Sequence, residues 1–133
     1  MLSYQHVYHA GNRADVLKHA ILSAVLADLA KQKKPIFYVE THAARGMYDL
    51  NSKEAQKGAE FPDGIGQLID VKNLPASMRP YLDEVKRLNP KGGLSSYPGS
   101  PALASHFLRK DDRMAFFELH PTEHAALLKN IGN

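Results

Sequence analysis

Cysteine is absent from this 133-residue chain. That excludes disulfides, thiolate metal sites, iron–sulfur centres and a cysteine nucleophile. No apolar run approaches the ~18–20 residues that span a bilayer. The opening Met1-Leu2-Ser3-Tyr4-Gln5-His6 lacks the basic region and apolar core of a secretory signal, so the expected compartment is the cytoplasm. Neither sign of charge dominates. The 17 Lys and Arg against 14 Asp and Glu leave +3, which permits a nucleic-acid partner without demanding one. There is no H-E-x-x-H motif and no Asp-rich cluster to supply a metal site. What remains, 44% hydrophobic and 23% charged residues, is the composition of an ordinary globular chain with room for one domain.

From Asn12 to about Lys34 the chain reads as one amphipathic helix. Asn12 stands as its cap, Leu17, Ala20, Ile21, Ala24, Val25 and Leu29 recur at helical spacing, and Lys31, Lys33 and Lys34 complement the dipole at its end. Pro35 stops it. Ile36-Phe37-Tyr38-Val39 predicts a strand buried on both faces, and Met114-Ala115-Phe116-Phe117-Glu118-Leu119 a second one. Between them, residues 51–95 are punctuated by Gly and Pro and carry a helical face of Met78, Tyr81, Leu82, Val85 and Leu88. This span predicts a helical insertion without strands. Ser100-Pro101 predicts a helix with Ser100 as cap, running to about Lys110, and Pro121-Thr122-Glu123 opens a last helix. Two buried strands joined through helices are the beginning of a doubly wound α/β sheet. Two such strands leave open edges that invite pairing with another copy, and Ile131-Gly132-Asn133 reads as an arbitrary end.

In a doubly wound sheet, ligands bind beyond the carboxyl ends of the strands. Here those ends carry Glu40, followed by His42 and Gly46, and Glu118. An acidic residue in the position of Glu118 suits the two ribose hydroxyls of an adenosine-containing cofactor. It lies roughly 70 residues beyond Gly46, against a usual ~20, and the excess matches the insertion. The loop has one glycine and not three, so Glu40 and Glu118 read equally well as polar caps on strand ends. His6-x-x-His9 and His120-x-x-x-His124 have ligand spacing but lack a third ligand; hydrogen bonding to a bound molecule suits them better. His19, one residue before a core-facing alanine, reads as a boundary histidine. Tyr4, Tyr8 and Tyr97 are of the type that stacks on an extruded base or covers an apolar edge. The Tyr97-Pro98-Gly99-Ser100-Pro101 turn offers free amides to a carboxylate, or is a plain cap.

The opening Leu2-Ser3-Tyr4-x-His6-x-x-His9-Ala10-Gly11-Asn12-x-Ala14-Asp15-Val16-Leu17-Lys18-His19 resembles the N-terminal signature of the large-subunit ribosomal RNA methyltransferase J family. Thr41-His42-Ala43, Tyr97-Pro98-Gly99-Ser100-Pro101 and Glu118-Leu119-His120-Pro121 are similar to three further segments of it, in order. The resemblance implies an α/β fold, the N-terminal part of a Rossmann-like sheet with a helical insertion. Residues 1–50 and 96–133 would form the partial methyltransferase domain and 51–95 the inserted subdomain. It implies adenine-N6 methylation of 23S ribosomal RNA, free of the assembled ribosome, with S-adenosylmethionine. It further implies that His19, His42, Ser100 and Glu118 contact the donor and that Tyr4 meets the RNA. Two features depart from the family. Glu40 stands for Asp and Ala44 for the first Gly of its Asp-x-His-Ala-Gly-x-Gly loop, and the Asp-Pro-Pro-Tyr tetrapeptide that carries the catalytic Asp is absent, so no residue here is assigned to catalysis. The rival expectation is a non-enzymatic nucleic-acid-handling protein, linked to the use of external DNA as a nutrient.

Overall fold

Asn12 starts the first helix as its position predicts. In the computed structural model, which describes residues 3–132, its side chain accepts from the Asp15 amide at 2.9 Å and opens α1, Arg13–Leu29. Met1 and Leu2 of the opening motif, and Asn133, lie outside the described residues. The helix ends at Leu29, so Lys31, Lys33 and Lys34 follow its last turn and do not sit in it. Its buried side is also unexpected. Asp15, His19, Ala20, Ser23 and Leu26 face the core, while Leu17, Ile21 and Val25 of the apolar stripe are exposed. Pairing accounts for the two charged or titratable members: Asp15 is held by His6 and Lys18, and His19 by Tyr97, while the Ser23 hydroxyl is buried without a partner. A buried polar group with partners loses much less than an unpaired one.

β1 (Phe37–Glu40) and β4 (Arg113–Phe116) pair in parallel, with Phe37 opposite Arg113 and Glu40 opposite Phe116. The ladder continues through Phe117 N–H to the Glu40 carbonyl, 2.8 Å, and Ala43 N–H to the Phe117 carbonyl, 3.0 Å. Burial on both faces is not realised: Phe37 is 65% and Val39 49% exposed, and Met114, Phe117 and Leu119 are exposed as well. Among the described residues β1 pairs only with β4, so both edges of the parallel pair lack a further strand. An antiparallel pair that the pattern does not announce, β2 (Met47–Asp49) and β3 (Ser96–Pro98), brackets residues 51–95.

Within that bracket lie α2 (Lys53–Gly58), several 3₁₀ turns and α3 (Arg79–Leu88). α3 buries Tyr81, Leu82 and Val85, the face its spacing predicts. These join Val7, Ala20, Tyr48, Leu50, Ile65 and Tyr97 in one core. The main apolar mass therefore lies between α1, the N-terminal segment and residues 51–95, beside the parallel strands. α4 (Ser100–Phe107) begins one residue earlier than expected, with extended Gly99 as its cap, and stops short of Lys110. Ser100 does not cap; its hydroxyl donates to Glu40, which removes it from the amides. α5 (Pro121–Ile131) is capped by His120, whose Nδ1 accepts from the Thr122 amide at 3.2 Å.

Candidate functional site

Parallel pairing puts the carboxyl ends of β1 and β4 on one side, and the five residues singled out in the sequence gather there. Tyr4, His19, His42 and Ser100, with Glu40, line a cavity of about 390 Å³. Tyr4 and His42 also line an adjoining one of about 350 Å³, together with Ala44, Glu118 and Glu123. Each is within the size range of small-molecule sites, and Tyr4, His6, His42 and Ala44 line both, so the two adjoin.

Glu118 follows β4 and is fixed by backbone from two sides. Its Oε2 accepts from the Ala44 amide at 2.8 Å and its Oε1 from the His120 amide at 2.7 Å. A carboxylate has about four acceptor sites, so two remain for a ligand. Ala44 reaches it from the left-handed region, at φ 52°, where the family has glycine. Glu123, which the sequence marks only as part of a helix start, is buried and receives a bidentate pair from Arg45, which ties the loop after β1 to the first turn of α5.

His19 is not a boundary residue. It is 1% exposed, its Nδ1 lies 2.9 Å from the Tyr97 hydroxyl, and that hydroxyl lies 2.9 Å from the Tyr81 hydroxyl. Tyr97 is thus a buried hydrogen-bonding core residue, neither a stacking platform nor part of a plain turn. Burial pushes the His19 imidazole down to about 3, so it is neutral near pH 7. Its Nε2 is buried without a protein partner, and His19 is one of the residues that line the first cavity. Burial also raises the Glu40 carboxyl, against hydrogen bonds from Ser100 and Tyr38 that favour its ionised form. The Thr41 hydroxyl and His42 Nδ1 are 2.9 Å apart.

Tyr4 stands at the shared mouth. Its hydroxyl is 2.7 Å from His6 Nδ1, and His6 Nε2 is 2.7 Å from Asp15. Burial opposes ionisation of Asp15, but the hydrogen bond from His6 and the Lys18 ammonium hold its carboxyl well below the usual range. The spacing His6-x-x-His9 therefore serves acidic partners: His6 faces Asp15 and His9 faces Glu60. Among the described residues, no three His, Asp or Glu side chains are grouped to hold a metal ion, and no helix is long and apolar enough to cross a membrane. His6 and Lys18 also line the first cavity, a role that spacing alone did not single out.

The residues present suit an adenosine-containing methyl donor on two grounds visible in this geometry. Glu118, whose carboxylate has spare acceptor sites, lines one cavity, and His19, whose imidazole has a buried nitrogen without a protein partner, lines the other.

Comparison with known proteins gives a consistent picture. The chain is 42% identical over 127 residues to ribosomal RNA large subunit methyltransferase J of Escherichia coli K12, covering 96% of this chain and 45% of that protein. It is 43% identical over 134 aligned positions to the Haemophilus influenzae protein of the same name, covering 100% of this chain and 48% of that one. The chain thus spans about half the length of the curated relatives it matches. A crystal structure of a Legionella pneumophila protein assigned to family DUF519 superposes with a TM-score of 0.85 at 46% identity, over 93% of this chain and 45% of that one. A family model described as ribosomal RNA large subunit methyltransferase D, RlmJ, matches residues 33–133, and the chain belongs to that family.

Proposed function

We propose that this chain is the donor-binding portion of an S-adenosylmethionine-dependent methyltransferase that modifies an adenine N6 of 23S ribosomal RNA in the cytoplasm. On this reading residues 1–50 and 96–133 belong to a Rossmann-like domain and 51–95 to an inserted helical subdomain. The observation that carries it is the Glu118 carboxylate, held by two backbone amides in the lining of a cavity that adjoins the one His19, His42 and Ser100 line. Glu118 would take the ribose hydroxyls, as the acidic residue after a second Rossmann strand does. Neutral His19 would offer Nε2 to the donor, as donor or acceptor according to the tautomer that Tyr97 selects. His42 and Ser100 would complete the lining, and Tyr4 would meet the extruded base at the mouth.

The bound donor would supply the methyl group; the chain's own residues bind and orient. Holding donor and base in register is where much of such a rate enhancement arises. No Asp-Pro-Pro-Tyr segment occurs in these residues, so the groups that orient the target amine are not assigned here. The test is to incubate the chain with radiolabelled donor, with and without a 23S ribosomal RNA transcript. Saturable retention of donor without transfer of label is expected. Absence of retention overturns the donor site, and transfer of label overturns the assignment of these residues to binding alone.

A further inference from the structure

Residues 51–95 do more than fill the interval between β2 and β3: they carry the segment that bears Tyr4. Two glycines allow the approach. A Cβ at Gly58 would lie 1.6 Å from the Tyr8 carbonyl oxygen, and one at Gly64 2.0 Å from that of Gly11. The backbone of residues 8–11 is thereby seated directly on the backbone of residues 58–64, and the Ile65 amide donates to the Gly11 carbonyl at 2.9 Å.

Glu60 lies between those two contacts and uses both carboxylate oxygens on that segment. Oε1 is 2.7 Å from His9 Nδ1, and Oε2 accepts from Asn12 Nδ2 at 2.8 Å. His9 in turn stacks on Tyr4, with ring centroids 5.6 Å apart and planes 3° from parallel. Tyr4 is still 65% exposed, because only part of the ring is covered.

We infer that Glu60 is a positioning residue: through His9 it fixes the plane of the Tyr4 ring at the mouth of the donor cavity, and so presents a pre-oriented face to an unstacked purine. The identity of that purine as an RNA base rests on the function proposed above; the coupling from Glu60 to Tyr4 does not. Chemistry favours the arrangement. An aromatic ring held by a second ring loses less freedom when a base stacks on it, and base–aromatic stacking tolerates any base, leaving selectivity to the cavity behind. The carboxylate also joins two elements far apart in sequence, so the loop that carries it sets the geometry of a residue about 56 positions earlier.

The test uses the chain with ring-labelled tyrosine, whose six tyrosines are resolved by NMR and assigned for Tyr4 by Tyr4→Phe. Glu60→Ala should move the Tyr4 ring signals toward those of an unstacked tyrosine, while buried Tyr48, Tyr81 and Tyr97 keep theirs. Glu60→Gln, which retains one acceptor for Asn12 and a donor for His9 Nδ1, should restore the wild-type Tyr4 signals. His9→Ala should give the same Tyr4 displacement, and the double variant should add nothing to it, since both act along one path. Unchanged Tyr4 signals in a folded Glu60→Ala chain overturn the inference. So does full additivity, and so does failure of Gln to restore the signals. If Glu60→Ala fails to fold, the Gln and His9 variants decide alone. In a second arm, an adenine-containing RNA oligonucleotide should bind about two- to tenfold more weakly to Glu60→Ala, the equivalent of one aromatic stack. Displaced Tyr4 signals with unchanged RNA binding would retain the positioning role and refute Tyr4 as the RNA contact.

Discussion

Ala44→Gly is expected to stabilise the chain, and the reason lies in one dihedral angle. Ala44 sits at φ 52°, in the left-handed region, because its amide must reach the Glu118 carboxylate. A Cβ there costs about 1–2 kcal/mol. Glycine relieves that strain but loses about 0.5–1 kcal/mol through the greater freedom of its unfolded chain. The net expectation is a gain of about 0.5–1 kcal/mol, or a rise of about 2–4 °C in Tm for a chain of this size. Urea and thermal unfolding followed by circular dichroism measure it. Ala59, at φ 51° in the cap that ends α2, is a second alanine under the same strain but outside both cavities. Ala59→Gly should match the gain in stability and leave donor affinity unchanged, whereas Ala44→Gly should raise or preserve it. A loss of stability in Ala44→Gly would refute the reasoning that the Glu118 contact holds this residue against its preference.

Stability should also fall as pH drops from about 6.5 toward 3, because buried His19 stays neutral while its unfolded counterpart takes up a proton. The expected slope is up to about 1.4 kcal/mol per pH unit, and His19→Gln, which cannot titrate, should flatten that part of a urea-melt series. Gly64→Ala should cost about 1–3 kcal/mol, since its Cβ would meet the Gly11 backbone and not a movable side chain. A melting temperature within 1 °C of wild type, on the order of a few tenths of a kcal/mol, would contradict that close approach.

How far the residues could be read depended on whether their roles were local. The start of α1 at Asn12 and the buried face of α3 follow from caps and periodicity, which act over a few residues. β2 and β3 have three residues each, too few for alternation to register, and Tyr97-Pro98 reads as a turn until Tyr48 is seen opposite it. The buried face of α1 differs from its apolar stripe because hydrophobicity cannot anticipate that His19 finds Tyr97 from 78 positions away and so tolerates burial. Ser100 has the right chemistry for a cap; only the arrival of Glu40 beside it redirects the hydroxyl. For the site, spacing left Glu118 balanced between ligand and strand cap, and the two amides that orient it depend on the register of β1 against β4. The resemblance supplied the five residues; the fold explains why they meet.

Titration calorimetry of S-adenosylmethionine into the chain and into Glu118→Ala tests the central claim most directly. Two charge-assisted hydrogen bonds from ribose hydroxyls, at about 1.5–3 kcal/mol each, imply at least a tenfold loss of affinity. Circular dichroism must show that the variant is folded, because its Ala44 and His120 amides lose their acceptor. Saturable binding at one site per chain, weakened tenfold or more by the substitution, is the predicted result. Equal affinities in the two folded proteins would contradict it.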